Sequence, residues 1–236
     1  MEIRKLAVFG SLFFWVLFSC AHAAQILPTN AIWDLEVSHG SNQDSNGGSG
    51  SIPYTDFVEV HDSTSYAYSS FEADFSSLEA YVQGFSEDTD PYEAYASVTL
   101  LSLPFSNDPL FSLSFGWTTV FDFDADKNAG EATISVGIFD LSTVSNVYQR
   151  SFSVFDTDSG SFSVSWFLDP THQYLYYVST LANISGAEDP QGGSVEVRIY
   201  DLQAKAVPEP ASIFLVLFGG LVLFLGLRKA KSSSPC

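Results

Sequence analysis

The chain has 236 residues, of which 46% are hydrophobic, and its 28 acids against 9 bases give a formal net charge of −19 at pH 7. A surface this acidic repels DNA, RNA and anionic lipid, so nucleic-acid binding is excluded on charge. The two cysteines, Cys20 and Cys236, lie near the chain ends. A domain between them must be stabilised by its apolar core and not by disulfides.

The N-terminus has the three-part layout of a secretory signal. Arg4 and Lys5 precede an apolar run at residues 6–19, and Ala21 and Ala23 are small residues at the two positions that signal peptidase reads. The run is too short to be the main membrane anchor. We therefore predict a signal peptide at residues 1–23, with cleavage after Ala23.

Cys20 leaves an alternative open. It follows Leu17, Phe18 and Ser19, and a Leu and a Ser at these positions are typical of a lipoprotein signal. In that case Cys20 would be lipidated and would become the new N-terminus. The bulky Phe18 fits such a signal poorly, so we favour the ordinary signal peptide.

Residues 24–206 form the predicted exported domain, which is long enough for one ordinary core. It contains every acid except Glu2 and Glu209, but only four bases, Lys127, Arg150, Arg198 and Lys205. We expect a strongly acidic surface that keeps the domain soluble and could also attract divalent cations or basic partners.

Apolar and polar residues alternate with period two along much of this domain, which predicts half-buried strands. The segments are 32–38, 92–103, 110–123, 131–141, 147–155, 161–168, 174–184 and 194–202. Clusters rich in Gly, Asn, Asp, Ser and Pro predict turns between them, at 40–51, 86–91, 104–109, 122–130, 156–160 and 186–193. We therefore predict an all-β fold, an antiparallel β-sandwich that is jelly-roll-like, with the clearest hairpin formed by 147–155 and 161–168.

Residues 70–85 fit two patterns. A helical stripe joins Phe71, Phe75, Leu78, Val82 and Phe85. The second half of the segment also alternates with period two, which suits a strand. We favour strand because the neighbouring segments are strands.

The densest acidic cluster, Asp122, Asp124 and Asp126 followed by Asn128, is a candidate calcium site. Alternate acids in a loop can converge on a hard cation. The cluster departs from an EF-hand loop, because Lys127 replaces the turn glycine and Thr133 the bidentate acid. The alternative is an acidic hairpin tip in water, and no other cofactor is expected.

We predict no enzyme activity. After signal removal the remaining histidines, His39, His61 and His172, have no metal-ligand spacing, and the sequence has no Gly-x-Ser-x-Gly elbow or phosphate loop.

Tyrosines suggest a different kind of site. Tyr66 with Tyr68, Tyr92 with Tyr95, and Tyr174 with Tyr176 and Tyr177 could line a face on which sugar rings stack. We take the last group, Tyr174, Tyr176 and Tyr177, as the predicted glycan site. The alternative is that aromatic residues simply fill the core of a sandwich.

The C-terminus predicts a membrane anchor. Residues 211–227 carry no charge and reach the lower limit for one transmembrane helix. Three bases follow and should stay cytoplasmic by the positive-inside rule, Arg228, Lys229 and Lys231. The Pro-Glu-Pro triplet at 208–210 favours extended backbone. We expect it to lie as a stiff strip at the outer membrane boundary, where a membrane protease can reach it.

The order Val207-Pro208-Glu209-Pro210-Ala211-Ser212, apolar span and basic tail resembles the sorting signal of PEP-CTERM proteins. The resemblance covers residues 207–231, with the motif at 207–212, the transmembrane helix at 211–227 and the basic tail at 228–231. It implies export in a Gram-negative bacterium and recognition of Pro208, Glu209 and Pro210 by an exosortase-type membrane protease. It also implies transient inner-membrane anchoring, then surface attachment or release, in association with exopolysaccharide and biofilm matrix.

The middle domains of that family vary widely, so no activity carries over. We therefore expect an exported surface or extracellular-matrix protein with a structural or interaction role. The alternative is a carbohydrate-binding module, calcium-assisted, that uses aromatic side chains on one sheet face.

Overall fold

The computed structural model describes residues 24–62, 65–87, 90–105, 110–123, 129–186 and 191–207, and these ranges form thirteen β-strands. The strands are β1 (Ala24–Gln25), β2 (Pro28–His39), β3 (Asn42–Ser51), β4 (Tyr54–Asp62), β5 (Ser65–Ala73), β6 (Leu78–Ser86), β7 (Tyr92–Ser102), β8 (Leu110–Phe123), β9 (Ala129–Asp140), β10 (Ser145–Val154), β11 (Asp158–Phe167), β12 (Tyr174–Gly186) and β13 (Gln191–Val207). The prediction of strand for residues 70–85 is confirmed by β5 and β6. Among the described residues we find no helix with the length and apolar character of a membrane span.

The strands form two antiparallel sheets, which confirms the predicted β-sandwich. The seven-stranded sheet has the order β11-β8-β13-β6-β5-β4, with β1 also paired to β13, and the six-stranded sheet has the order β10-β9-β12-β7-β2-β3. Strands β6 to β13 by themselves give the orders β6-β13-β8-β11 and β7-β12-β9-β10. This is the strand order of a jelly roll, in which the chain repeatedly crosses from one sheet to the other.

The core lies between the sheets and is built by the predicted alternation. Ile134, Val136 and Ile138 of β9 are fully buried, and so are Val195 and Val197 of β13. Each such aliphatic side chain contributes about 1.5–3 kcal/mol by leaving water. A core assembled from both sheets can therefore hold the domain together without disulfides.

The hairpin predicted from 147–155 and 161–168 is wrong. Strand β10 pairs with β9 in the six-stranded sheet, whereas β11 pairs with β8 in the seven-stranded sheet. The chain crosses the sandwich between them, and the Thr119 hydroxyl fixes the crossing by donating to the Asp156 carbonyl at 2.9 Å. Alternation reveals which side of a strand is buried, but not which strand lies beside it.

The sequence predicts a turn at the glycine-rich cluster 40–51, but most of this cluster is the edge strand β3. The true turn is short, with Gly40 in the left-handed conformation at φ 56°. Along β3, Gly48 and Gly50 lie against the indole of Trp33, where a Cβ would meet the ring. Small and polar residues therefore serve here to cover a tryptophan and to present a polar edge to water.

Candidate functional site

The structure does not place the three predicted glycan-binding tyrosines on one surface. Tyr174 and Tyr176 point into the core and are buried, whereas Tyr177 lies on the other side of β12 with its ring against Gly137. Burial raises the pKa of Tyr176, and its hydroxyl donates to the Ile26 carbonyl at 2.9 Å. The predicted row at Tyr174, Tyr176 and Tyr177 is therefore wrong, because two of its rings are core residues.

The other predicted site residues lie mostly outside the described residues. Of the candidate calcium ligands, Asp122 is the next-to-last residue of β8, while Asp124, Asp126 and Asn128 are not described. Among the described residues no group of three or more His, Cys, Asp and Glu side chains is placed to hold a metal ion. Val207 ends β13, and the remaining targeting residues are not described: Ala21, Ala23, Pro208, Glu209, Pro210, Arg228, Lys229 and Lys231.

A different set of aromatic side chains does share one surface. We call it the aromatic face: the outward side chains of β4, β5 and β6 on the seven-stranded sheet, namely Phe57, His61, Tyr66, Tyr68, Tyr81 and Phe85. They face outward because their strand neighbours, such as Val58 and Val82, occupy the buried positions. Alternation along each strand thus sends the aliphatic residues inward and these rings outward.

The rings of the aromatic face are in contact across the strands. The centroid of Tyr66 lies 6.0 Å from that of His61 and 6.2 Å from that of Phe85. The centroid of Tyr68 lies 5.9 Å from Phe57, in a stacked arrangement, and 6.1 Å from Tyr81, edge to face. Two aromatic rows therefore run across three strands, and neighbouring rings limit each other's motion.

Polar groups sit between the two rows. A depression of about 220 Å³ is lined by Glu59, His61, Tyr66, Tyr68 and Gln83. Nε2 of His61 lies 3.3 Å from Oε2 of Glu59. The depression therefore combines ring faces with a carboxylate, an amide and hydroxyl groups.

Tyr81 lies two residues before Gln83 on β6, and its hydroxyl donates a hydrogen bond to the side-chain amide oxygen of Gln83 at 3.0 Å. Burial raises the pKa of Tyr81, so this hydroxyl stays protonated at neutral pH. It orients the Gln83 amide at the rim of the depression.

The charge beside the aromatic face is negative. Nε of Arg198, on β13, donates a hydrogen bond to Oε2 of Glu79 at 2.8 Å. Nη2 of the same guanidinium lies 3.4 Å from Oε1 of Glu196. The hydrogen bond to Glu79 raises the pKa of Arg198, so the guanidinium stays charged and held by these acids. A ligand that reaches this surface meets carboxylates, together with a base that is already paired.

The opposite side of the sandwich carries an acidic groove of about 700 Å³ on the outer face of the six-stranded sheet. Its floor follows one register row, in which Glu36 is the Cα partner of Tyr95 and Tyr95 the partner of Asn183. Asp34 and Glu93 also line it. Among its described lining residues there is one aromatic ring and no histidine, so its character differs from that of the aromatic face.

No protein-family model and no curated protein sequence matches the chain. Several solved structures are similar in part. The adhesin domain of Epf from Streptococcus pyogenes matches with 11% identity over 78% of this chain and 65% of its own, at a TM-score of 0.33. A family 11 carbohydrate-binding module from Clostridium thermocellum, in complex with a β-1,3-1,4-mixed-linked tetrasaccharide, matches with 10% identity over 75% of this chain and 98% of its own, at a TM-score of 0.27.

The enzymatically active domain of bacteriophage CBA120 tailspike protein 4 matches with 9% identity over 64% of this chain, at a TM-score of 0.29. This chain spans only 19% of the length of that tailspike and 65% of that of the adhesin domain. Similarities with TM-scores this low do not show that the chain shares the function of any of these proteins. Its own surface is therefore the basis for a functional proposal.

Proposed function

We propose that the chain is an exported cell-surface or matrix protein that binds polysaccharide on its aromatic face. We further propose that an exosortase-type membrane protease sorts it at Val207, Pro208, Glu209 and Pro210. The observation that carries the binding role is the aromatic face itself, where six rings cover water-facing positions on three neighbouring strands.

Ring faces and polar groups at this spacing suit a sugar. A pyranose presents C–H groups on its flat faces, which pack against aromatic rings, and hydroxyl groups around its rim, which need hydrogen-bond partners. Tyr66 and Tyr68 supply the rings, and Glu59 and Gln83 supply the partners at the edge of the same depression. A purely apolar partner would leave the remaining carboxylate lone pairs of Glu59 and the amide N–H groups of Gln83 without hydrogen bonds, at a cost in free energy.

The charge favours a neutral polysaccharide. Glu59, Glu79 and Glu196 surround the rings, and Arg198 is engaged by the last two. A uronic-acid or sulfated chain would be repelled by these carboxylates at low ionic strength. The proposed ligand is therefore an uncharged glycan of the extracellular matrix.

The proposed role is binding without catalysis. The aromatic face is open to solvent, so water is not excluded from a bound sugar as it is in a closed active site. His61 and Glu59 line the depression, and in the proposed role they orient the hydroxyl groups of a bound sugar by hydrogen bonds and do not transfer protons in a reaction.

The test is affinity electrophoresis of the full-length chain in detergent, through gels that contain a neutral β-glucan or a polyuronate. We expect retardation by the neutral glycan alone. Tyr68→Ala should weaken binding about tenfold, because it removes a stacking contact worth about 1.4 kcal/mol. The matched control is Tyr95→Ala, which removes the same side chain from the acidic groove.

The two variants discriminate between the two faces. Binding that survives Tyr68→Ala and Tyr66→Ala unchanged would contradict the proposal. A loss with Tyr95→Ala instead would move the site to the acidic groove.

A further inference from the structure

Both ends of the described chain leave the sandwich at the same place. Ala24 of β1 and Ala206 of β13 are Cα partners, and the Ile26 amide donates to the Ala204 carbonyl at 2.8 Å. The last described residue, Val207, is itself paired with Leu110 at the start of β8. The described chain therefore enters and leaves the fold on neighbouring, paired strands.

Exposed apolar side chains collect at this end. We call Leu27, Leu103, Val144 and Phe167 the apolar end, and they are 44%, 57%, 75% and 72% exposed. Phe167 is the partner of Leu110, which links it to Val207. Leu27 and Leu103 flank the paired residues Pro28 and Ser102 at the end of the other sheet.

Val144 completes the apolar end in the turn between β9 and β10, directly before the strand residue Ser145, which pairs with Asp140. Its φ is 56°, in the left-handed region that β-branched residues avoid. Because Val144 is mostly exposed, packing in the core does not compensate for this conformation. An apolar, strained residue held in water indicates a contact outside the sandwich.

Among the strand ends and turns, exposed acidic side chains lie mainly at the other end of the sandwich, away from the apolar end. Of the described acids in the strand ends and turns at the apolar end, Asp140 is nearly enclosed and bound to His172. Asp169 accepts hydrogen bonds from Thr171, and Asp74 accepts one from the Phe75 amide. The far end carries exposed acids instead, including Glu87, Asp90, Asp156 and Asp158. The domain thus has one acidic end and one apolar end, and the first and last described residues lie at the apolar end.

The length of chain beyond Val207 limits how far the sandwich can stand from the membrane. Three residues, 208–210, separate β13 from the predicted anchor at 211–227. Fully extended, they span roughly 10 Å. The headgroup layer on one side of a bilayer is about 5–8 Å thick. With that anchor in the bilayer, the apolar end would touch or nearly touch the headgroup region.

We propose that, before processing, the apolar end lies on the outer surface of the inner membrane, with its leucines and Phe167 in the headgroup layer. This inference rests on the sorting part of the proposed function, together with the membrane anchor that the sequence predicts at 211–227. The acidic end then points away from the bilayer, as repulsion from anionic lipid requires. Pro208, Glu209 and Pro210 follow Val207 directly in the sequence, so a protease embedded in the membrane would have to act close to the apolar end.

The test places single cysteines on the full-length chain, in a background with Cys20→Ser and Cys236→Ser, reconstituted into phosphatidylcholine vesicles with brominated acyl chains. Leu103→Cys and Phe167→Cys report on the apolar end. Phe155→Cys is the matched control, because Phe155 is also an exposed phenylalanine, 69% exposed, but lies at the far end of the sandwich. Each cysteine carries the same environment-sensitive fluorophore. We expect at least twofold quenching by the brominated lipid at positions 103 and 167, and none at 155.

Two failures are distinguishable. If the chain is extracted from vesicles by carbonate, the anchor itself is absent and the proposed sorting falls with it. If the chain stays in the vesicles but positions 103 and 167 are quenched no more than 155, the anchor stands and the membrane-facing apolar end is overturned. Quenching at 103 that is lost on Phe167→Asp, or quenching at 167 that is lost on Leu103→Asp, would support the inference further.

Discussion

Nδ1 of His172 lies 2.7 Å from Oδ2 of Asp140, and this pair joins the loop before β12 to the end of β9. The hydrogen bond to Asp140 raises the pKa of His172 above its ordinary value of 6.5. Burial opposes ionisation of Asp140, but hydrogen bonds from His172, Ser142 and Thr143 outweigh it and hold its pKa below the ordinary 3.8. The charged pair is thus favoured in the folded state.

Stability should depend on pH through this pair. A raised histidine pKa stabilises the fold fully below about pH 6.5, and the contribution is lost as the pH rises through the raised value. The lowered pKa of Asp140 contributes above about pH 3.8 and is lost as the pH falls below that. The melting temperature of the wild type should therefore exceed that of His172→Gln most clearly between about pH 4 and 6.5.

The measurement is thermal unfolding by circular dichroism from pH 4 to 9. His61→Gln serves as the control, because the His61 side chain is 63% exposed. We expect its effect on the melting temperature to be small at every pH. A difference between wild type and His172→Gln that does not narrow above neutrality would show that the pair does not act through charge.

Gly84 is required for close packing between the sheets. A Cβ on Gly84 would overlap the ring of Tyr92, which is fully buried in β7. We expect Gly84→Ala to lower the free energy of unfolding by about 1–3 kcal/mol, because the core cannot move to make room. Gly47→Ala is the control, since its Cβ would meet Asp34 at an ordinary 3.4 Å.

Urea denaturation of both variants measures the change. The control should stay within about 0.5 kcal/mol of wild type. Equal stability of Gly84→Ala and Gly47→Ala would mean that Tyr92 repacks freely.

The sorting proposal predicts a processing defect. Replacing Pro208, Glu209 and Pro210 together by alanine removes the extended strip, and the full-length chain should accumulate in the inner membrane. Replacing Ser232, Ser233 and Ser234 by alanine, beyond the basic tail, should leave processing unchanged. Immunoblots of membrane and extracellular fractions distinguish the two, and identical processing of both variants would rule the signal out.

Much of the fold could be predicted because alternate residues of a strand point to the same side of the sheet, so that either the odd-numbered or the even-numbered positions are buried. Ile134, Val136 and Ile138 identify the inner side of β9 without knowledge of its neighbours. Sheet membership could not be predicted in the same way. The crossing at Asp156 depends on a hydrogen bond from Thr119, 37 residues earlier in the chain, which no local pattern reveals.

The aromatic residues of the candidate site could also be sorted in part by this alternation. Tyr174 and Tyr176 lie at the same alternate positions as the buried Val178 and Ile184, which marks them as core residues. Tyr66 and Tyr68 alternate together with the polar Ser70 and Glu72, which marks them as outward-facing. For these tyrosines the sequence alone distinguishes core from surface. The sequence does not reveal that Phe57 joins the aromatic face, because β4 is not among the predicted strands and the contact of Phe57 with Tyr68 depends on the register between β4 and β5.

The pairing of Ala24 with Ala206 brings the ends of the domain to adjacent backbone positions. A peptide of a few residues could join them and close the fold into a ring without crossing the sandwich. New ends could then be opened elsewhere, for example in the turn between β2 and β3 around Gly40 and Ser41. The domain is therefore suited to circular permutation, and to insertion as a cassette into a surface loop of a host protein.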